Sequence, residues 1–415
     1  MEDCKQVVIV GAGIAGLATA LALKRVGVQF LVLEKWNELR STGAAISLFP
    51  NAWRALDALG VAHKLTSIYP VFDKAIVTDV ATGAVQTISL GGTSNCEAMG
   101  WRTVHRRALL KALADEIPPN SIRFSSKIVS ISTETAQNSP IYVLHMADGT
   151  IVRAKVLIGC DGVHSMIAEW LGLSTPVHSG RVAVRGLAVF PEGHGLNHEV
   201  LQFVGYGQRA GFVPITSKEV YWFVTYKSSL EGHQGPRDPE LIKKDVLENM
   251  TRDLPQVFLD VVHHCDLATL TWAPLVFRYP WDVLLGPTCK GAVTVAGDAM
   301  HPMTPDLGQG GCSALEDAVV LGRHIGNSLL ESRRVEHGKV KKALEGYVKE
   351  RKWRAAWLIA GAYMSGWAQQ AGSGWLETFV RDKIFYAYVF SRLARATRYD
   401  CGALPSVPSA GYKLD

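Results

Sequence analysis

The 415-residue sequence is poor in cysteine and lacks the motifs that metal or nucleophile chemistry needs. Its seven cysteines are an odd number and form no CxxC pair. This pattern predicts no disulfide framework, no zinc site and a reducing compartment. There is no HExxH motif, and no Ser/His/Asp or Cys/His constellation is evident, so neither a metalloprotease nor a nucleophilic hydrolase is indicated.

Long apolar runs and blocks of like charge are also missing. The most apolar stretch, Val7 to Leu23, is slightly short for a membrane span and is broken by three glycines. A buried strand starts near Gln6 and leaves no room for a secretory leader, so a cytoplasmic protein is expected. The net charge of +5 is modest for this length and favours a solvated surface over a nucleic-acid partner.

The chain opens with the pattern of a βαβ unit. Four aliphatic residues, Val7 to Val10, precede the motif Gly11-x-Gly13-x-x-Gly16, and a helix-like segment follows. Glu34 stands at the end of the next apolar strand. A GxGxxG motif in this setting predicts a dinucleotide site, with pyrophosphate at the helix N-terminus and the acidic residue on the ribose.

A second motif lies near residue 300. Gly297-Asp298-Ala299-x-His301-Pro302 follows an apolar strand, and a glycine-rich stretch from Pro305 to Gly311 leads into a helix. An aspartate at a strand end can bond a ribityl hydroxyl, while the helix start offers N–H groups to the edge of an anionic flavin. This motif therefore favours FAD over NAD as the bound nucleotide.

A third motif, Gly159-Cys160-Asp161-Gly162-x-x-Ser165, also follows an apolar strand. From its composition alone, an ordinary Asp-Gly turn is an open alternative to a cofactor site.

The three motifs, in this order, resemble those of the class A flavoprotein monooxygenases, the broad group of para-hydroxybenzoate hydroxylase. The resemblance covers residues 6–325 and is most specific over 297–318, where the chain looks like bacterial FAD-dependent urate hydroxylases. It looks equally like plant flavin monooxygenases related to salicylate hydroxylase and zeaxanthin epoxidase, and the segment from Thr42 to Asn51 matches them as well. The resemblance implies an α/β fold with a Rossmann-like FAD-binding domain, an inserted β-rich substrate domain and a C-terminal helical extension.

The implied activity is an FAD-dependent monooxygenase that uses NADH or NADPH and O2. It would hydroxylate an aromatic or conjugated small molecule through a flavin C4a-hydroperoxide. Epoxidation and Baeyer–Villiger-type oxygen insertion use the same chemistry and stay open, as does a non-oxygenating FAD-binding module. The partners expected are the small substrate and O2, with the protein a monomer or homodimer and membrane-surface contact a minor alternative.

The same resemblance carries roles to individual residues. Ser47 would lie along the flavin, Arg106 near the pyrophosphate, and Ile128 would offer backbone bonds to adenine, while Asp161 would serve FAD and NAD(P)H. The expected cofactor-binding set is Gly11, Gly13, Ala15, Gly16, Glu34, Lys35, Ser47, Arg106, Ile128, Asp161, Asp298, Pro305, Gly308, Gln309, Gly310 and Gly311.

Three residues of the β-rich segment are the candidates for catalysis. Arg209 and Tyr221 line up with active-site residues of the urate hydroxylases, and Arg185 resembles the arginine of a salicylate-type YRG segment. A structural ion pair or a buried hydroxyl bond is the alternative for each of them.

Two further positions need care. His301 is interpreted as a loop-shaping residue rather than a base. The arginine that family members often carry after the Asp-Gly motif is replaced here by Met166-Ile167-Ala168-Glu169, which puts its pyridine-nucleotide contact in doubt.

The domain prediction is discontinuous. The FAD-binding domain is expected at residues 1–70, 100–175 and 286–340, and the substrate domain at 71–99 and 176–285. C-terminal helices are expected at 341–400, followed by a loose tail at 401–415. The helices carry aromatic residues at helical spacing, which predicts that they belong to a core. A substrate entrance, a dimer face or a membrane-surface face is the alternative. These aromatic residues are Trp353, Trp357, Tyr363, Trp367, Trp375, Phe379, Phe385, Tyr386, Tyr388 and Phe390.

Overall fold

The computed structural model describes residues 4–39, 44–90, 100–136, 139–205, 207–228, 238–332, 337–369 and 395–406. The strands in these ranges are β1 (Lys5–Val10), β2 (Phe30–Leu33), β3 (Ala45–Leu48), β4 (Lys74–Asp79), β5 (Val85–Ser89), β6 (Arg102–His105), β7 (Ile122–Arg123), β8 (Ile128–Ala136), β9 (Ser139–Met146), β10 (Ile151–Gly159), β11 (Val177–Val189), β12 (Val200–Gly205), β13 (Gln208–Pro214), β14 (Glu219–Lys227), β15 (Cys265–Phe277), β16 (Cys289–Lys290) and β17 (Val293–Val295).

The α-helices in the same ranges are α1 (Ile14–Arg25), α2 (Pro50–Ala58), α3 (His63–Thr66), α4 (Arg106–Ala114), α5 (Met166–Leu171), α6 (Pro239–Asp245), α7 (Gln256–His263), α8 (Pro280–Leu285), α9 (Gly310–Ser332) and α10 (His337–Gln369). Helix α6 gives way directly to a π-helical turn over Val246–Met250.

The first sheet has the strand order β16-β17-β10-β1-β2-β7, and β8 and β9 extend it from β10. Strand β1 runs parallel to both β10 and β2, and β10 runs parallel to β17. Its central strands are buried on both faces, as their aliphatic composition predicts. The predicted α/β fold is therefore confirmed, and the carboxyl ends of β1, β10 and β17 bring all three motifs to one edge.

The second sheet has the order β15-β11-β14-β13-β12-β4-β5. It is antiparallel except where β12 pairs with β4, so a strand from residues 74–79 joins strands that follow it by more than a hundred residues. Side chains alternate between its two faces. Val184, Phe212 and Trp222 pack against Phe258 of α7 on one face, and the other face covers the candidate site.

Helix α10 contradicts the prediction that its aromatic residues belong to a core. The exposed fractions are 68% for Trp353, 44% for Trp357, 41% for Tyr363 and 39% for Trp367. Small and aliphatic side chains fill the buried face of the helix instead, so the aromatic rings occupy the opposite face. The buried residues include Ala355, Ala356, Leu358, Ile359 and Ala362. The other six aromatic positions lie outside the described residues.

The expectation of a loose tail is wrong for residues 401–406. Cys401 is 1% exposed, and Leu404 and Pro405 lie against Gly322 and Gly326 of α9. A methyl group on Gly322 would come within 3.0 Å of the Leu404 side chain. The helix lacks side chains at these two positions, so Leu404 and Pro405 can pack onto it. Residues 407–415 are outside the described ranges.

None of the helices described above combines the length and the hydrophobicity of a transmembrane segment.

Candidate active site

The turn between β1 and α1 is held by backbone contacts. Gly11 has a φ of +99°, and its N–H donates to the Leu33 carbonyl at 2.7 Å. A methyl group on Gly16 would stand 1.8 Å from the Gly11 carbonyl oxygen. At Gly13, by contrast, no atom of the described residues, apart from its neighbours in the chain, lies within 4 Å of the position a methyl group would take. The backbone is thus tightly packed on its inner side and open above Gly13, where the N-terminus of α1 begins.

Glu34 lies beside this turn. Its Oε2 accepts a hydrogen bond from the Ala12 N–H at 2.7 Å, and its Oε1 accepts one from the Trp36 N–H at 3.0 Å. The side chain is buried, so these two bonds fix the carboxylate at the end of β2. Lys35 is exposed, with its Nζ 5.7 Å from the centre of the Trp36 ring.

The second motif forms the loop between β17 and α9. We call residues 296–309 the flavin-side loop, because the sequence predicts that this loop faces a flavin. Gly297 begins a 3₁₀ turn with a φ of +60°, and the side chain of the next residue, Asp298, is exposed. A second 3₁₀ turn over Pro305–Leu307 ends at Gly308, whose φ is +64°. A methyl group on Gly311 would come within 2.3 Å of the Ile46 side chain, so α9 starts in direct contact with β3.

One cavity of about 1060 Å³ lies between this loop and the open face of the second sheet, which forms the roof of the cavity. Its lining includes all the residues predicted for catalysis and most of those predicted to contact the flavin. The predicted site residues in its lining are Ser47, Arg106, Arg185, Arg209, Tyr221, Asp298, Pro305, Gly308, Gln309, Gly310 and Gly311.

The remaining candidates lie outside this lining. Ile128 is buried at the start of β8, where it pairs with Met146. Asp161 follows β10, and its carboxylate accepts hydrogen bonds from the Ser165 hydroxyl at 2.5 Å and the Met166 N–H at 2.8 Å. Burial raises the pKa of Asp161, although these hydrogen bonds act in the opposite direction. The observed role of Asp161 is to anchor the start of α5.

Arg209 connects the roof of the cavity to the flavin-side loop. Its Nη1 donates to the Asp306 carbonyl at 3.3 Å, and its Nη2 donates to Gln202 Oε1 at 3.1 Å. The Asp306 carboxylate also receives two hydrogen bonds from Arg181, at 2.9 and 2.8 Å. Since the Asp306 side chain is completely buried, this ion pair joins β11 and β13 to the 3₁₀ turn that precedes α9.

Tyr221 lies on the cavity side of β14. Burial raises the pKa of its phenol, while the charges of Arg185 and Arg209 lower it. The phenol therefore stays protonated near neutral pH and can donate a hydrogen bond.

Sequence reasoning missed several residues of this site. Phe49 and Trp101 stack with ring centres 4.6 Å apart and form an aromatic wall, and Phe223 lies beneath the Arg209 guanidinium at 5.3 Å. Gln202 is a further polar residue of the roof. The alternation of side chains along β12 and β14 could have indicated Gln202 and Phe223. No local sequence pattern indicates that Phe49 and Trp101 stack.

A buried charge network stands behind the flavin-side loop. The Arg351 guanidinium contacts Asp317 Oδ1 at 2.7 Å and Glu316 Oε2 at 2.7 Å, and all three side chains are fully buried. His301 Nε2 lies 2.6 Å from Asp317 Oδ2, which also accepts the Gly297 N–H at 2.8 Å. His301 thus contacts the carboxylate that holds the Gly297 N–H, which agrees with its interpretation as a loop-shaping residue.

Burial alone would raise the pKa of Asp317. The charges of His301 and Arg351 outweigh that effect and lower the pKa to about 2. Asp317 is therefore an ionised anchor for the turn at Gly297.

Comparison with known proteins supports a flavin site. A family described as FAD binding domain matches residues 5–362. Monooxygenase 2 of Arabidopsis thaliana is 40% identical over 412 residues, which cover 97% of this chain and 99% of that protein. An FAD-dependent urate hydroxylase of Mycolicibacterium vanbaalenii is 30% identical over 323 residues, covering 76% of this chain and 78% of its own.

A solved structure gives the same fold. Klebsiella pneumoniae HpxO, complexed with FAD and uric acid, matches with a TM-score of 0.76 at 24% identity, covering 97% of both chains.

Proposed function

The chain belongs to the FAD-binding monooxygenase family, and from this membership we propose that it hydroxylates an aromatic or conjugated small molecule. The overall reaction takes two electrons from NADH or NADPH. One atom of O2 enters the substrate as a hydroxyl group in place of a hydrogen, and the other leaves as water. Substrate, O2, NAD(P)H and one proton thus give the hydroxylated product, water and NAD(P)+.

The observation that carries this proposal is a cavity of about 1060 Å³ with one wall suited to a flavin and the other to an aromatic substrate. Asp298 and the start of α9 form one wall, with the properties that a flavin needs. Arg185, Arg209 and Tyr221 project from the other wall, among apolar and aromatic side chains. A planar substrate held against this wall would face the flavin with little water between them.

The cofactor residues are assigned on the same basis. Gly11, Gly13, Ala15 and Gly16 would hold the pyrophosphate at the start of α1, where the backbone is open above Gly13. Glu34 would bond the adenosine ribose, and Lys35, Arg106, Ile128 and Asp161 would contribute to the nucleotide end.

At the flavin end, Asp298 would accept a ribityl hydrogen bond, since its side chain is exposed toward the cavity. The N–H groups at the start of α9 would stabilise negative charge on the ring. FAD, when bound there, accepts the hydride of NAD(P)H and activates O2. The residues assigned to this end are Ser47, Asp298, Pro305, Gly308, Gln309, Gly310 and Gly311.

The decisive experiment follows coupling in the FAD-loaded protein. NADH or NADPH oxidation, O2 uptake and peroxide release are measured with salicylate, 3-hydroxybenzoate, urate, indoles and polycyclic phenols. A substrate accelerates NAD(P)H oxidation, suppresses peroxide and yields a product that carries one atom from labelled O2. If the flavin is reduced and every compound yields peroxide alone, hydroxylation of this substrate class is contradicted.

The variant Asp298→Ala is expected to bind FAD more weakly. Loss of the acceptor leaves a ribityl hydroxyl unpaired, which costs roughly 1–3 kcal/mol of binding free energy. Fluorescence titration of the FAD-free protein measures the change. Asp298→Asn keeps an acceptor oxygen and should retain more of the affinity. Asp253→Ala, which removes an exposed carboxylate at a distance from the cavity, is the control. Equal FAD affinity in Asp298→Ala and the control would remove Asp298 from the site.

A further inference from the structure

Three consecutive backbone carbonyls in the C-terminal part of the chain are each held by a donor from α2 or α10. They belong to residues 396–398, which we call the rim segment, because two of its three residues line the edge of the cavity. The first carbonyl accepts a hydrogen bond from Arg354 Nη2 at 2.8 Å, and the second accepts one from the Asn51 N–H at 2.9 Å. The third accepts a hydrogen bond from Arg54 Nη1. The backbone of the rim segment is therefore fixed against α2.

The rim segment lies at the flavin end of the cavity. The Asn51 side chain donates a hydrogen bond to Gln309 Oε1 at 2.9 Å, and Gln309 is the last residue of the flavin-side loop. Arg54 of α2 and Arg398 of the rim segment line the cavity together with this loop. A ligand held at the rim segment would therefore lie beside the N-terminus of α9, where the flavin ring is expected.

Two arginine side chains are present at this rim without an acidic partner. Arg54 is half-buried and Arg398 is exposed, and both line the cavity. Neither guanidinium contacts a carboxylate of any residue that the structure describes, and the contact between Arg54 and Arg398 is with a neutral carbonyl. Two like charges at one edge of a cavity create a positive potential that attracts anions.

The acidic residues of the cavity are engaged elsewhere. The Asp306 carboxylate is buried and paired with Arg181 and Arg209, and Asp298 belongs to the flavin-side loop. These two aspartates share the cavity lining with five arginines, so the lining has an excess of positive charge. A ligand with several negative charges can offset it.

The motif that the sequence assigns to NAD(P)H supplies no such positive charge. The Asp161 carboxylate is already bonded to the Ser165 hydroxyl and the Met166 N–H. Within residues 166–169, which replace the arginine of other family members, the most exposed side chain is the acid Glu169. This charge repels a nucleotide phosphate, so the phosphates of NAD(P)H need a cation elsewhere near the flavin end.

On these observations we propose that Arg54 and Arg398 bind a phosphate group of the reduced pyridine nucleotide at the rim of the cavity. Guanidinium groups form paired, charge-assisted hydrogen bonds with phosphate oxygens. The nicotinamide then enters the cavity toward the flavin ring. The pyrophosphate of FAD is assigned to the turn at Gly13, which is not part of the cavity lining, so it does not compete for this pair.

Two phosphates share this chemistry. One is the 2′-phosphate, which NADPH carries and NADH lacks, and the other is the pyrophosphate common to both nucleotides. The inference rests on the proposed function, because it names a site for the reductant of that reaction.

The test follows flavin reduction in the absence of O2 and of an aromatic substrate. The FAD-loaded protein is mixed anaerobically with increasing NADPH or NADH, and the loss of flavin absorbance is recorded. The concentration dependence gives the apparent Kd of the nucleotide, and the plateau gives the rate constant of hydride transfer. For Arg54→Gln and Arg398→Gln we expect the apparent Kd for NADPH to rise at least about tenfold. The plateau should change by less than about twofold, since the lost contact is to a part of the nucleotide that does not react.

The two glutamine variants differ in their effect on the rim segment. Arg398→Gln leaves the backbone carbonyl of residue 398 bonded to Arg54, so the rim segment keeps its backbone contacts even if Arg54→Gln disturbs them. Arg54→Lys, which keeps the charge without the paired N–H groups, should retain part of the affinity. Arg107→Gln removes an exposed arginine of α4 outside the cavity lining and is the matched control. Fluorescence titration should give the wild-type FAD affinity for all four variants.

Comparison of the two nucleotides identifies the phosphate. A loss confined to NADPH, together with competition between NADPH and 2′,5′-ADP in the wild type, assigns the arginine pair to the 2′-phosphate. An equal loss for NADH and NADPH assigns it to the pyrophosphate. Both results support the proposed site.

Three results would overturn the proposal. The first is a wild-type apparent Kd for both nucleotides in Arg54→Gln and Arg398→Gln. The second is a loss of FAD affinity in these variants, which would assign the arginines to FAD. The third is a lower plateau with an unchanged apparent Kd. Failure of hydroxylation is a separate result: flavin reduction would still depend on Arg54 and Arg398, while NAD(P)H oxidation in air would yield only peroxide.

Discussion

Replacement of Arg351 by methionine is expected to lower the free energy of unfolding by about 3–5 kcal/mol, the usual cost of removing one partner from a buried ion pair. Arg351 contacts Asp317 and Glu316, and all three side chains are fully buried. Methionine fills much of the space of the arginine stem but leaves two carboxylates with less compensating charge. Urea denaturation of the FAD-free protein, followed by circular dichroism, measures the change.

The matched control for this prediction is Lys349→Met. Lys349 lies on the same helix, α10, but is exposed, so removing its charge should change the unfolding free energy by no more than about 0.5 kcal/mol. Arg351→Lys should fall between the two, since it retains the charge. If Arg351→Met and Lys349→Met gave equal urea midpoints, the network would contribute nothing to stability, whatever its contacts.

The same network explains why Arg351→Met should also change the affinity for FAD. Asp317 holds the Gly297 N–H, and Gly297 begins the turn that carries Asp298. Loss of Arg351 removes one of the charges that keep the pKa of Asp317 low. The position of the flavin-side loop therefore depends on a side chain of α10, far along the chain and outside the cavity lining.

The parts of the fold that the sequence predicted are those determined by local patterns. The turn from β1 to α1 depends on three glycines within six residues, and the loop from Gly297 to Gly311 depends on four glycines within fifteen residues. In both places some positions can only be occupied by glycine. There φ is positive, or a side chain would come closer than 3 Å to another atom. Such requirements leave a direct mark in the sequence.

Long-range pairing leaves no comparable mark. Arg181 and Asp306 are 125 residues apart, and neither residue type nor spacing indicates that they meet. The sequence therefore offered both Arg185 and Arg209 as candidates, although among the residues that the structure describes only Arg209 of the two has a carboxylate partner. Helix α10 shows a different limit, because its aromatic spacing defined one face correctly but could not decide whether that face points inward.

Two alanine substitutions in the first motif are expected to separate folding from cofactor binding. Gly16→Ala places a methyl group 1.8 Å from the Gly11 carbonyl oxygen, so α1 must move away from β1. Crowding of this kind typically costs about 1–3 kcal/mol, and we expect both a lower urea midpoint and loss of measurable FAD binding.

Gly13→Ala should behave differently, because nothing in the described part of the chain, apart from its sequence neighbours, lies within 4 Å of the added methyl group. The Gly13 φ of −77° also suits an L residue. The FAD-free protein should keep its stability to within about 0.5 kcal/mol. The methyl group would nevertheless occupy the space through which a pyrophosphate approaches the backbone, and FAD affinity should fall by at least about tenfold, or 1.4 kcal/mol. Wild-type FAD affinity in Gly13→Ala would mean that the pyrophosphate does not approach the backbone at Gly13. Reduced stability of the FAD-free variant would mean that the fold itself requires glycine at this position.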